Sequence, residues 1–293
     1  MEPHLTSLRA LKVKWIVLSG GEPLMHSDLS TLCDFIRSEG IKLTLLTAGL
    51  LLEKDAARVA DLVDDLIVSI DGPPDIHDQI RGVRLAYQRL ERGIALVRHR
   101  RPDISIRGRC TVQKRNCREL RNTVSTSHIL ALNSVSFLAA DVTSAAFNRS
   151  EGWSEERRAG AALTAEEANA LEGEIESLIH QCRPEIESGF IAERPEKLRR
   201  IVQHFRSELG QTEATSPRCN APWVSAVIES DGTVKPCFFH NSVGNIHNDS
   251  LMNILNGDKA LKFRERLDVP TNFTCRNCVC SLFVPGAQNA RPS

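Results

Sequence analysis

The sequence predicts an α/β fold followed by a small cysteine-rich α+β tail. The α/β part reads as an open doubly wound sheet or as part of a (β/α) barrel. Three observations carry this. Strand-type and helix-type segments alternate from the start to about residue 140. The strand-type segments are short, rich in Val, Ile and Leu, and apolar on both faces, as buried parallel strands are. Five of the nine cysteines, Cys219, Cys237, Cys275, Cys278 and Cys280, fall in the last quarter of the chain.

The expected strands cover residues 13–18, 41–46, 66–70, 103–111 and 134–139. Helical patterns lie between them. Ser27 can cap a helix running to Glu39, which Gly40 closes. Residues 53–62, 83–98 and 116–130 supply the next three helices. Repeated strand–helix units imply right-handed crossovers, with the ligand at the carboxyl ends of the strands. From 141 to 160 the pattern lapses into an expected loop. Thr164 and Glu167 form a capping box for a long helix towards Cys182, and 193–208 is helical again. These two helices are expected to link the sheet to the tail, giving domains at 1–147, 148–211 and 212–293. In the tail, 223–229 and 233–237 read as strands around the Asp231-Gly232 turn. Short helices near 250–256 and 259–267 follow, and the chain closes in "CRNCVC" and a Pro/Gly-rich end.

Composition narrows the function. Lys plus Arg equal Asp plus Glu at 37 each, which gives no support to a nucleic-acid or anionic-membrane partner. No apolar run approaches the roughly 18 residues that span a bilayer, and the first residues lack the apolar core of a signal peptide. A soluble cytoplasmic protein is expected. The scattered Cys33, Cys110, Cys117 and Cys182 read as small buried groups.

Two stretches look chemical. In "VLSGGEP", Gly20 and Gly21 let the backbone approach a ligand and Pro23 stiffens the exit. Glu22, at a partly dry strand end, needs a positive or hydrogen-bonding partner, and a ligand ammonium would serve. In "LIVSIDGPPDIHDQIRG", Ser69 and Asp71 point to one face of a strand and suit ribose hydroxyls. Asp75, His77, Asp78 and Arg81 then crowd a short loop, or cap a helix start and form surface ion pairs. In the tail, Cys219 and Cys237 form C-x17-C around the hairpin, and Cys275 and Cys278 form C-x2-C. Four such thiolates can converge on one centre. Spacing alone leaves structural zinc and an iron–sulfur cluster both open.

Together, "VLSGGEP" and "SIDGPPDIHDQIRG" resemble the radical S-adenosylmethionine (SAM) superfamily over most of residues 10–140. The resemblance implies a partial (β/α)6 barrel. It implies that Gly20, Gly21 and Glu22 hold the SAM ammonium, that Ser69 and Asp71 meet the ribose, that Thr47 is a polar strand-end residue of the site, and that Arg109 takes the SAM carboxylate. The segment "C…DGTVKPC…VGNI…CRNC" resembles the auxiliary-cluster domains called SPASM and, in shorter form, Twitch. The resemblance makes Cys219, Cys237, Cys275 and Cys278 the ligands of one auxiliary [4Fe–4S] cluster and gives Cys280 no clear place, as a bystander or an alternative ligand.

In that family the first strand leads into C-x3-C-x2-C, whose thiolates bind the catalytic [4Fe–4S] cluster. Here no cysteine precedes Cys33. The expectation is an N-terminally shortened enzyme, without its first strand and unable to run the radical reaction by itself. The parent activity would be an oxidoreductase that generates a 5′-deoxyadenosyl radical for hydrogen abstraction. Its substrate would be a small molecule or peptide, its electron donor a flavodoxin or ferredoxin, and its auxiliary cluster an electron carrier. The alternative is a non-catalytic iron–sulfur electron-transfer or scaffold protein.

Overall fold

The structure is a computed structural model that describes residues 2–144, 146 and 152–285. The expected 147/148 domain boundary and the last eight residues lie outside the described residues. The elements run α1 (Glu2–Ala10), β1 (Trp15–Leu18), α2 (Leu29–Ser38), β2 (Lys42–Thr47), α3 (Leu52–Leu62), β3 (Asp65–Ser69), α4 (Pro74–Arg81), α5 (Ala86–Arg100), β4 (Ser105–Val112), α6 (Leu120–Ile129) and β5 (Ser134–Ala139). Then follow α7 (Glu155–Ala161), α8 (Ala165–Gln181), α9 (Arg183–Glu187), α10 (Pro195–Glu208), α11 (Ala221–Val224), β6 (Val227–Ile228), β7 (Thr233–Lys235), β8 (Gly244–Asn245), α12 (Leu251–Asn256), α13 (Asp258–Arg266) and α14 (Phe273–Arg276). Among the described residues no helix is long and apolar enough to cross a membrane.

The chain forms two compact units. One holds 14–140 and 159–212, the other 1–13, 141–158 and 213–293. The helices expected as a linker thus cluster with the sheet. The physical reason is that α8 and α10 bury apolar stripes: Ala168, Leu171, Ile175 and Leu178 on one, Leu198, Ile201, Val202 and Phe205 on the other. The two helices pack together, α8 also on α6 and α10 also on β5. The predicted Thr164–Glu167 capping box is present at the start of α8. The segment expected as a loop before it contains α7.

In the larger unit β1 to β5 form one parallel sheet in sequence order. Register pairs Thr44 with Asp65, Ser69 with Arg109, and Arg109 with Ser136. Alternate strand residues share a face. Thr44, Asp65, Ser69, Arg107, Arg109 and Ser136 therefore lie on one side. Leu43, Leu45, Leu66, Val68, Ile106, Cys110, Val135 and Phe137, all fully buried, lie on the other. Strands expected to be apolar on both faces are thus polar on one.

Helix α2 buries Leu29, Cys33 and Ile36, one helical stripe. Its predicted cap differs: the N-cap is Asp28, with no side-chain hydrogen bond, so Ser27 lies outside the helix. Helices α3 and α5 approach closely because Gly93 has no side chain. A Cβ there would lie 2.8 Å from Leu52 Cβ and 2.9 Å from the Glu53 backbone N. Helix α4 takes the place of the expected short loop, in line with the capped helix start that was the other reading; Pro74 starts it and Gly82, at φ 63°, ends it. Asp78 on α4 then accepts from the backbone N–H groups of Leu85 (2.7 Å) and Tyr87 (2.8 Å), which caps α5 from outside.

Asp65 organises the polar face. Its carboxylate accepts from Thr44 Oγ1 (2.7 Å) and Arg107 Nη2 (2.7 Å) and pairs with Lys42 Nζ at 2.7 Å. Burial works against its charge, but hydrogen bonds from Lys42, Thr44 and Arg107 outweigh it and hold the carboxyl below the ordinary Asp value. A depressed folded-state pKa contributes stability above the unfolded value of about 3.9, lost as pH falls through the folded value. We expect the urea midpoint to drop as pH falls below about 4, with a shallower drop in Asp65→Asn. Equal slopes in wild type and variant would refute this.

In the smaller unit β6, β7 and β8 form an antiparallel sheet. The hairpin turns at Gly232 as expected (φ 80°), but only 227–228 pair as the first strand, because α11 occupies 221–224. Its core is Val234, Val243, Leu251, Ile254 and Ala260, with Leu8 and Leu11 packed against it. The Ser7 hydroxyl also accepts from the Met252 N–H at 3.3 Å.

Candidate functional site

The larger unit places Glu22 beside the end of β2. The Thr47 hydroxyl lies 2.8 and 2.9 Å from its two oxygens. The Ala48 N–H donates at 2.9 Å and the Leu24 N–H at 3.2 Å. Thr47 is fully buried, so it orients Glu22 instead of facing the open rim. All three donors are neutral, and among the described residues no cation pairs with this carboxylate. Its two oxygens offer about four lone-pair sites, so the group has room for one more donor. Gly20 and Gly21 precede it, exposed, and an added Cβ at either would meet nothing within 4 Å. Gly20 sits at φ 135°, a conformation that glycine adopts freely.

Ser69, the last residue of β3, stands in register with Arg109 of β4 on the polar face. Ser69 is half-buried and makes no side-chain hydrogen bond among the described residues. The Arg109 Nε is buried without a partner. Arg109 as a whole is half-buried, and a ligand anion would satisfy its unpartnered Nε–H.

Asp71 is placed differently. It is 1% exposed, and its Oδ2 lies 2.6 Å from Arg81 Nη2 and 3.4 Å from His77 Nδ1. The Asp71 backbone N–H donates to His77 Nδ1 at 3.3 Å, while the Asn116 amide donates to the Asp71 carbonyl at 2.9 Å. The structure thus gathers Asp71, His77, Arg81 and Asn116, and brings Glu22 together with Thr47. Asn116 was not singled out in the sequence; no local pattern marks a side chain that reaches 45 residues along the chain.

The smaller unit carries the cysteine set. Cys275 lies in α14, whose first turn Asn272 caps by accepting from the Cys275 N–H at 3.1 Å. The Cys278 N–H returns to the Cys275 carbonyl at 3.3 Å. Asn220, next to Cys219, is buried and staples the last segment. It exchanges bonds with Val284 (2.9 and 3.0 Å), and its backbone N–H donates to Leu282 at 2.8 Å. Burial, then the charges of Cys237 and Cys219, push the Cys275 thiol up to about 11. Burial, then Cys280, pushes Cys278 up further, and Cys237 and Cys219 add to it. Burial also raises Cys237, against backbone N–H groups of Phe239 and His240 that donate to its sulfur.

Cys219, Cys237, Cys275 and Cys278 therefore act on one another electrostatically. Yet among the described residues no three His, Cys, Asp or Glu side chains stand close enough to clasp one ion. A [4Fe–4S] core interposes iron and sulfide between its thiolates and holds them wider apart than a single zinc does. Four thiols are the donor chemistry that such a core takes. Cys280 touches the set through its backbone, its carbonyl accepting from the Cys278 thiol at 2.7 Å. Of the scattered cysteines, Cys33, Cys110 and Cys117 are buried as expected, and Cys182 is half-buried.

Sequence profiles agree with both halves. The profile described as "Iron-sulfur cluster-binding domain" matches residues 219–279, and that of the "Radical SAM superfamily" matches residues 5–124. Residues 5–124 form a radical SAM domain and residues 219–279 an iron–sulfur cluster-binding domain. The radical SAM match contains Gly20 to Arg109, and the iron–sulfur match contains all four candidate ligands but stops before Cys280. The radical SAM fold is shared with solved structures. A chain titled "Native anSMEcpe with bound AdoMet and Cp18Cys peptide" superposes with a TM-score of 0.61 at 18% identity, over 89% of this chain and 73% of that one. Streptococcus suis SuiB bound to precursor peptide SuiA gives 0.57 at 14% identity, over 96% and 64%. Among curated relatives, the AdoMet-dependent heme synthase of Methanosarcina barkeri is 35% identical over 111 residues, 37% of this chain and 31% of that one. The alignments span less than a third of the length of the first curated relatives matched.

Proposed function

We propose that this radical SAM chain carries a SAM-binding rim and one auxiliary [4Fe–4S] cluster, and serves as an iron–sulfur oxidoreductase acting on a small molecule or peptide. The observation that carries the reading is the Glu22 carboxylate, held by neutral donors only and left without a cation. Such a group selects the ammonium of an amino-acid end. Thr47 and the Ala48 N–H hold its orientation. Arg109 would receive the carboxylate of the same ligand, and Ser69 a ribose hydroxyl. Asp71, paired with Arg81, would meet the ribose only by sharing that partner. SAM bound to a reduced cluster supplies the 5′-deoxyadenosyl radical of this family. Cys219, Cys237, Cys275 and Cys278 would hold the auxiliary cluster, with no iron left open for substrate, so its role would be to accept the electron released as the substrate radical is oxidised, while a flavodoxin or ferredoxin would be the chain's electron donor. The tetrapyrrole and peptide names of the relatives favour no single substrate.

A second reading, a non-catalytic iron–sulfur electron carrier, is favoured by one feature: the sequence has no C-x3-C-x2-C. No residue of this chain supplies that loop's three thiolates. Anaerobic reconstitution with dithionite and SAM, of the chain translated together with the codons in frame upstream of Met1, separates the readings: 5′-deoxyadenosine supports the enzyme, its absence the carrier. Binding is tested separately by equilibrium dialysis with labelled SAM. Glu22→Ala should weaken binding at least tenfold, the loss of roughly 1.4 kcal/mol expected for one charge-assisted hydrogen bond. Unchanged affinity would remove Glu22 from the site.

A further inference from the structure

The CFFH turn that follows β7 does more than supply Cys237. The backbone N–H groups of Phe239 and His240 donate to the Cys237 sulfur. The His240 side chain leaves in another direction, and its Nε2 lies 3.4 Å from Cys275 Sγ. The ring is half-buried and packed edge-on against Phe263, with centroids 4.9 Å apart and planes at 64°. One residue therefore reaches two candidate ligands that are 38 positions apart in sequence, one through its backbone and one through its imidazole.

We propose that His240 is a positioning residue of the auxiliary cluster, donating an Nε2–H hydrogen bond to the Cys275 sulfur and thereby raising the cluster's reduction potential. The proposal rests on the iron–sulfur reading of the cysteine set. A ligating thiolate has lost its proton, so its sulfur can only accept. An imidazole carrying a proton at Nε2 can present it to that sulfur from 3.4 Å. Donors to cluster sulfurs stabilise the more negative, reduced state and lift the potential. Orienting partners of this kind also preserve a metal site's geometry. Phe263 holds the ring plane, and the backbone bonds to Cys237 hold the turn that carries it.

The test uses the full chain, reconstituted anaerobically with iron and sulfide. Iron content is measured first, then the midpoint potential by titration with dithionite, read by electron paramagnetic resonance. With wild-type iron content, His240→Leu should have a lower potential. The expected size is about a tenfold change in the reduced-to-oxidised ratio at fixed potential, or 59 mV for one electron. His240→Gln, which keeps an N–H donor, should recover part of the shift. An unmoved potential in His240→Leu overturns the proposal while leaving the cluster intact. Should His240→Leu fail to hold iron, the reduced wild-type cluster decides by hyperfine spectroscopy on protein labelled with 15N-histidine. A weakly coupled nitrogen with an exchangeable proton supports the donor role. A strongly coupled nitrogen makes His240 an iron ligand and overturns it, as does the lack of any histidine coupling. Wild-type protein that takes up zinc and no iron refutes the cluster reading itself, and the proposal with it.

Discussion

Cys278→Ala should lower bound iron from about four atoms per chain to less than one after anaerobic reconstitution, with loss of the brown chromophore. Cys278 is the most strongly shifted of the candidate ligands that lie near one another. Burial raises its thiol most, and Cys280, Cys237 and Cys219 add to the effect. A thiol so placed ionises only where a positive centre takes up its charge. Without it the remaining three would leave one iron corner open, and no other described side chain completes a single-ion site with two partners. Cys280→Ala is the control. The backbone carbonyl that accepts from the Cys278 thiol is retained in alanine, so if the Cys280 thiol is no ligand the iron should stay at the wild-type value. Equal iron loss in both variants would make Cys280 a ligand. Full iron in Cys278→Ala would dismiss the proposed ligand set.

Arg81→Met should destabilise the chain by about 3–5 kcal/mol, the usual result of removing one partner from a buried ion pair. Asp71 is 1% exposed, and its carboxylate has Arg81 at 2.6 Å as its close cation. Methionine keeps much of the apolar stem of arginine, so packing changes little and the buried charge dominates. Unfolding in urea, followed by circular dichroism, measures the loss. Were Asp71 instead turned to solvent and free for ligand, the substitution would cost less than about 1 kcal/mol, as exposed pairs do. That outcome would return Asp71 to the open rim with Ser69. The distinction matters because sequence places Ser69 and Asp71 on one strand face as a pair, whereas the structure leaves only Ser69 free of protein partners.

Much of the fold was readable along the chain. Short Val/Ile/Leu runs alternating with helical stripes are local patterns, and they determined five parallel strands with helices between them. Glycines at 20 and 21, the turn at Gly232, the capping box at Thr164 and the paired cysteines are also local, because each depends on residues within a few positions. The misses share one cause. Helix α4 was only partly legible because Pro and charged residues resemble a loop until Gly82 closes it and Asp78 caps the next helix. Residues 223–229 look strand-like, yet the short α11 takes their start.

By itself, the amino-acid sequence determined the alternating α/β architecture, the Gly-Gly-Glu turn at a strand end and the thiol-rich tail. Only the tertiary structure decided that Thr47 serves Glu22, that Arg81 serves Asp71, that Asn220 staples the segment after Cys280, and that His240 reaches Cys275. Periodicity within one element shows which face is apolar, since that follows from backbone geometry repeated every few residues. It carries no information on which residue dozens of positions away will meet a polar atom. That depends on strand register and on the path of each turn, which are set once the whole core packs.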